Sequence, residues 1–309
     1  MKAIYLESKA GSESLKSGEI PRPAPEAGQL LIKVHATAVM PTELLWYPTF
    51  NKPSGEPRPF PIVLSHEFSG VVESLGANVG DFQIGDAVYG LNDWFSNGAQ
   101  AEFCVAAVKS VARKPKSLDH VQSAVVPISA LTAWQGLFKR TKLQKGENVL
   151  IHGAAGGVGT FAVQLARWRG AKVFATASTG NLDFVRSLGA HQVIDYTAGR
   201  FEDEVSDIDV VFDAVGGETL KRSMHMLKSG GRLVTVATQS EDAAETRVRE
   251  AFMLVEADGS QLWDVANLID GGDLRVFVED VFPLAKAREA YARAQQGKMR
   301  GKIALRVAD

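Results

Sequence analysis

The stretch LIHGAAGGVGTFAVQLARWRGAKVFATAS, Leu150 to Ser178, reads as strand, glycine turn, helix and second strand in one continuous unit. Val149 to Ile151 form the short apolar run that a buried parallel strand needs, and the run stops at small residues from Gly153 to Gly159. A helix from Val158 to Arg169 follows, with Val158, Phe161, Ala162, Leu165 and Trp168 at helical spacing; Gly170 ends it before a second strand, Lys172 to Ala177. Such a unit is built to hold a dinucleotide. Gly156 lets the backbone approach a pyrophosphate, Gly159 permits close packing of helix on strand, and the helix N-terminus presents amides and positive dipole to phosphate. Ala154 stands where the usual pattern has its first glycine. An ordinary tight turn is the plain alternative, and the strand-turn-helix-strand context favours the dinucleotide.

An enzyme that prefers NAD usually places an acid at the end of the second strand, on the ribose 2′-hydroxyl. Here Ala177, Ser178, Thr179, Gly180 and Asn181 occupy the region, offering hydroxyls and an amide to a 2′-phosphate. NADPH is the expected cofactor. Ser178 or Thr179 also reads as a cap for a helix through Leu182 to Leu188.

The chain has 309 residues, more than one core usually serves, and its periodicity changes along its length. Strands at Lys2 to Leu6, Gln29 to Ala38, Glu67 to Leu75 and Asp86 to Tyr89, separated by loops rich in Pro and Gly, suggest a β-rich domain over 1–125. Strands at Val149 to His152, Lys172 to Ala177, Gln192 to Asp195, Asp209 to Asp213 and Arg232 to Ala237, mostly with helices between, suggest a doubly wound parallel α/β sheet over 126–260. A helix from about Leu284 to Gln296 and a strand from Lys302 to Val307 make 261–309 a segment that returns to the first domain. The net charge of −2 gives no basic stripe for nucleic acid or an anionic membrane, and no apolar run is long enough to span a bilayer. MKAIYLES lacks the apolar segment of a signal peptide, so a cytoplasmic location is the expectation. The one cysteine, Cys104, lies in the strand-like AEFCVA and reads as a buried structural thiol.

HEFSGVVESLG (His66 to Gly76), GDAVYG, GAQAEF, LTAWQGL (Leu131 to Leu137), HGAAGGVG, LGAHQVIDY (Leu188 to Tyr196), FDAVGGETL (Phe212 to Leu220) and GGRLV occur in one order along the chain. In them the sequence resembles the medium-chain dehydrogenase/reductase superfamily, and within it the zinc-independent quinone oxidoreductase and enone reductase branch. The resemblance implies a GroES-like catalytic domain and a Rossmann domain, with cofactor and substrate in the cleft between them. It implies an NADPH-dependent enzyme that passes a hydride to a quinone or an α,β-unsaturated carbonyl.

By that resemblance, zinc ligands would stand at Met40, His66 and Ile128, and only His66 can bind a metal. The four-cysteine zinc lobe is also missing between Gly85 and Phe103. His66 and Glu67 read as a hydrogen-bonded His and a structural Glu, and no metal is expected. Thr42 takes the position of a proton-relaying hydroxyl and Tyr47 lies close by in sequence; a cap and a pocket wall are the plainer roles for the two. Met40 and Glu43 replace the branch's usual Asn and Asp, while Met40, Trp46, Tyr47, Trp94 and Phe95 suggest an apolar, aromatic pocket. The cofactor contacts carried over are Thr132 near the nicotinamide, Ala155, Gly156, Gly157 and Val158 at the pyrophosphate, and Val215 and Gly216 toward the adenosine. Ser178, Thr179 and Tyr196 would meet the 2′-phosphate, with Asn181 where the family usually has Lys; Arg200 reads as a solvated surface residue, with a substitute cation as the alternative. AFMLV, Ala251 to Val255, matches the family's edge strand; pairing with its symmetry mate would make a homodimer, whereas an edge covered by the neighbouring helix would leave a monomer. Two rival readings are a zinc alcohol dehydrogenase and a non-enzymatic NADPH-binding protein.

Overall fold

A computed structural model describes residues 1–237, 240 and 243–308. The chain divides into two units, one of Met1–Ile128 with Ala257–Asp309 and one of Ser129–Glu256.

In the first unit, strand Gln29–Ala38 is the spine. Its apolar residues Leu30, Ile32 and Val34 are fully buried with Phe68 and Val72 of strand Glu67–Leu75, which runs antiparallel beside it. Strand Ala87–Leu91 pairs with Glu67–Leu75 in turn, two residues longer at its far end than the expected Asp86 to Tyr89. The C-terminal strand Lys302–Arg306 lies between Gln29–Ala38, antiparallel to it, and Val278–Pro283, parallel to it. Helix Gly259–Asp270 belongs to this unit, although its first residues were expected in the second domain. Tyr89 donates its hydroxyl to the carbonyl of Leu262 at 2.5 Å, and Asp270 accepts the amides of Lys116 and Ser117 at 3.0 and 2.9 Å.

The second unit is a parallel sheet ordered Gln192–Asp195, Lys172–Ala177, Asn148–His152, Ile208–Asp213, Leu227–Thr235. Its central strand buries Val149, Leu150 and Ile151 completely, as helices on both faces of a parallel sheet require. The last strand begins at Leu227, five residues before the expected Arg232, because it passes through Gly230 at φ 76° and a register shift that the apolar pattern does not mark.

The expected edge strand at Ala251 to Val255 is a correction. Ala251 closes helix Thr246–Ala251, and the segment forms no strand among the described residues, meeting the sheet at an isolated parallel bridge, Thr235 to Phe252. The backbone of Glu256, just beyond it, is taken instead by the side chain of Gln135. Among the described residues, no helix is long and apolar enough to cross a membrane. Cys104 is buried, and burial pushes its thiol up to about 12, as suits a structural residue.

Candidate active site

In the first unit the site grows from one strained residue. Ser65, which precedes strand Glu67–Leu75, adopts φ 65°, a left-handed conformation costly for a residue with a Cβ. Glu43 stabilises it: both carboxylate oxygens accept the Ser65 amide at 2.9 Å, and the Ser65 hydroxyl donates to the carbonyl of Ala38 at 2.5 Å. The turn sends His66 to one side and Glu67 to the other.

His66 is 1% exposed, with Nδ1 2.6 Å from Glu43 Oε1 but without a hydrogen bond to it. Its Nε2 lies 3.2 Å from the carbonyl of Ser96, which can only accept, so this nitrogen carries the proton. Nε2 is thus engaged, while Nδ1 faces Glu43 without a hydrogen bond. Glu67 Oε2 accepts the amide of Ile128 at 2.9 Å, and Oε1 pairs with the Lys302 ammonium. Of the three family ligand positions, His66 alone offers a donor; with Glu43 that makes two, and catalytic zinc uses three protein ligands. Among the described residues, no group of three His, Cys, Asp or Glu side chains is placed to hold a metal.

Trp94 lies over His66 with ring centroids 5.3 Å apart, and Trp46 meets Trp94 edge-on at 5.0 Å, so two of the expected pocket aromatics are brought together. Thr42, in the turn Pro41–Leu45, and Tyr47, which opens helix Tyr47–Phe50, are both exposed. The sequence reading missed Arg58. This buried guanidinium donates to the carbonyls of Pro48, Thr49 and Ser96 at 3.2, 3.2 and 2.8 Å, and to Asn97 Oδ1 at 3.1 Å. It ties the segment carrying Tyr47 to the loop that engages His66. Its Pro- and Gly-rich surroundings gave no sign of burial.

In the second unit, Gly159 is required by the fold, since a Cβ there would lie 2.1 Å from the Gly153 carbonyl. Gly156 is not. It sits at φ −76°, ψ 177°, open to any residue, and a Cβ would meet nothing nearer than the Gly153 carbonyl at 3.4 Å. Gly156 caps helix Gly157–Trp168 without a side-chain hydrogen bond, so no cap side chain claims the amides of the first turn, Gly157 and Val158 among them. A turn left smooth where the fold does not ask for it, before first-turn amides with no capping side chain, fits a pyrophosphate. Ala155 is half-buried in the same turn, and Thr132 is buried in helix Pro127–Trp134.

Val215 and Gly216 are organised by a second residue the sequence reading missed. Asp213 accepts the amide of Val215 at 3.2 Å, that of Gly216 at 3.1 and 2.9 Å, and the Thr235 hydroxyl at 2.7 Å. Burial pushes its carboxyl up, while these donors act to lower it.

At the end of strand Lys172–Ala177, Ser178 is half-buried and makes no cap with its side chain; Asn181 Nδ2 donates to its hydroxyl at 3.3 Å. The cap expected of Ser178 or Thr179 is thus absent, and Asn181 precedes helix Leu182–Ser187 without a side-chain cap either. Thr179 also departs from its expected role, because its hydroxyl donates to Asp195 Oδ2 at 2.6 Å. Tyr196 is 57% exposed, and its amide donates to the carbonyl of Ala177 at 3.2 Å. Arg200 is exposed and faces Glu202 at 3.4 Å.

Known proteins bear on these two units. A model of the alcohol dehydrogenase GroES-like domain matches residues 26–116, and one described as zinc-binding dehydrogenase matches residues 188–305. The chain is 35% identical to the mouse (Mus musculus) NAD(P)H oxidoreductase RTN4IP1, mitochondrial, over 90% of this chain and 82% of that one. It is 33% identical to the Arabidopsis thaliana NADPH-dependent alkenal/one oxidoreductase, chloroplastic, over 99% and 79%. The solved quinone oxidoreductase from Coxiella burnetii superposes with a TM-score of 0.90 at 31% identity, covering 99% of both chains. The expected cytoplasmic location is overturned by these relatives, of which the mouse protein is mitochondrial by name and the plant protein chloroplastic. The shared GroES-like and Rossmann units, and relatives aligned over nine-tenths of the chain or more, show that this protein belongs to the medium-chain dehydrogenase/reductase superfamily, as an oxidoreductase with a nicotinamide cofactor.

Proposed function

We propose that the protein is an NADPH-dependent reductase of quinones or α,β-unsaturated carbonyls that works without catalytic zinc. The observation that carries this reading is the shortage of ligands around His66, with Met40 and Ile128 at the other two ligand positions and Nε2 engaged by the Ser96 carbonyl. A conjugated acceptor suits such a site, since an enone or quinone spreads the incoming charge over its own oxygen and needs no Lewis acid. Reduced nicotinamide, when bound, supplies the hydride. The chain's own part is to position and to protonate. Trp46 and Trp94 offer an apolar wall for a planar acceptor, and the exposed hydroxyls of Thr42 and Tyr47 are the donors for the oxygen that gains charge. Gly156 and the first-turn amides hold the pyrophosphate, and Asp213 fixes the backbone at Val215 and Gly216. Ser178 and Tyr196 serve the 2′-phosphate.

The test follows NADPH oxidation with a simple quinone and with an alkenone, before and after a strong chelator, alongside elemental analysis. Turnover that survives chelation in protein without stoichiometric zinc is expected. Zinc at one per chain, lost together with activity, overturns the reading.

A further inference from the structure

Strand Gln192–Asp195 ends beside strand Lys172–Ala177, with Asp195 paired to Ala177 in the parallel register. This is the carboxyl edge of the sheet, where open α/β folds bind their ligands. The sequence holds no acid just after Lys172–Ala177, yet the neighbouring strand delivers one to the same place. Asp195 Oδ2 accepts the Thr179 hydroxyl at 2.6 Å, while Oδ1 accepts the amide and hydroxyl of Thr197 at 2.9 and 2.6 Å. These donors hold its carboxyl below the usual range, so it is ionised at neutral pH. Each hydroxyl has one proton to give, and both go to Asp195, which leaves neither threonine as a donor to phosphate. Among the described residues no ion pair neutralises Asp195.

We propose that Asp195 is a cofactor-specificity residue: its carboxylate, fixed by Thr179 and Thr197 next to Ser178, sets a negative charge against the 2′-phosphate of NADPH and narrows the margin over NADH. This inference rests on the dinucleotide reading of the second unit. A 2′-hydroxyl meets no such repulsion, so removing the charge should help NADPH far more than NADH.

The experiment is fluorescence titration of NADPH and NADH against the full chain and its Asp195→Asn and Asp195→Glu variants, at low and high NaCl. Asparagine keeps an oxygen for the threonine hydroxyls and loses the charge. Its preference for NADPH over NADH is expected to rise about three- to tenfold at low salt, while the glutamate variant stays within about twofold of the parent. In the parent, the preference is expected to increase with salt, since screening weakens a repulsion; a site that grips phosphate with cations loses preference instead. An unchanged or lower preference in Asp195→Asn, or a parent preference that falls with salt, overturns the inference. A parent chain that binds neither nucleotide overturns the dinucleotide reading, and this inference with it.

Discussion

The side-chain amide of Gln135 pairs with the backbone of Glu256 as a neighbouring strand would, Nε2 donating to the carbonyl at 2.8 Å and Oε1 accepting the amide at 3.0 Å. The two residues stand near opposite ends of the second unit's sequence, Gln135 in the wide-turned helix Gln135–Arg140 and Glu256 as the unit's last residue. Gln135→Leu keeps the bulk and leaves both backbone groups without this partner. A loss of about 2 kcal/mol in unfolding free energy is expected by denaturant titration, and a loss under about 0.5 kcal/mol contradicts the role.

His152 gives the second unit a pH dependence. It is fully buried at the end of the central strand, with Nδ1 2.9 Å from Thr176 Oγ1 and Nε2 2.8 Å from Ser223 Oγ, and burial pulls it down to about 4. The Ser223 hydroxyl donates to the carbonyl of Thr219 at 2.5 Å, so Nε2 carries the proton and Nδ1 accepts from Thr176. An unfolded His takes up a proton near pH 6.5, whereas the folded one waits until about 4. Stability from this group is therefore complete above pH 6.5 and declines as pH falls through the interval, by about 3 kcal/mol in all. Urea titrations from pH 7 to pH 4 should show this slope flattened in His152→Gln; equal slopes in both proteins refute it.

Arg58→Met removes four hydrogen bonds and leaves three carbonyls and the Asn97 side chain short of a donor. A cost of about 2 to 4 kcal/mol in stability is expected, with a larger relative loss in kcat/KM for the acceptor than in affinity for NADPH. Parallel losses in both would mean that Arg58 acts on the fold as a whole.

Thr42→Val and Tyr47→Phe separate the two candidate donors. The true donor's removal should lower kcat by about 100-fold with NADPH affinity unchanged, a typical contribution of a positioned acid. If neither substitution reduces kcat even fivefold, solvent is the proton source.

The homodimer keeps a basis in the exposed side of the segment after helix Thr246–Ala251, where Leu254 is 47% exposed. Light scattering should find twice the 33.3 kDa chain mass, reduced by Leu254→Glu. A single species at one chain mass removes the proposal.

Local pattern carried much of the fold. Asn148–His152 and Lys172–Ala177 stand where the apolar runs place them, because a strand buried on both faces leaves an unbroken run between turn residues. The glycine turn was equally plain, since Gly159 answers a steric demand within a few residues of itself. Arg58 was not legible: its partners Ser96 and Asn97 lie 38 and 39 residues away, and nothing beside it marks a guanidinium bound for the interior. Asp195 was read as the end of a strand, and its nearness to Thr179 is a fact of sheet order, which periodicity does not encode. Ala251 to Val255 failed for the opposite reason, since apolar character alone does not say whether backbone groups find a ladder or a side chain.

The place of strand Lys302–Arg306 between Val278–Pro283 and Gln29–Ala38 has a consequence for biosynthesis. During translation residues 1–128 emerge with Phe103–Ala107 pairing only the 29–33 part of one edge of Gln29–Ala38, and the strand that covers residues 36–38 is made only after the whole of 129–256. The later unit has every strand of its sheet in hand first, so order of manufacture and order of completion are reversed. Proteolysis of ribosome-stalled chains ending near residue 300, long enough for 129–256 to clear the exit tunnel but short of Lys302–Arg306, should find 129–256 protected and 1–128 still cleavable. The nascent chain carries its earliest segment as its longest-lived exposure, a window in which a chaperone has more to guard than at any later moment.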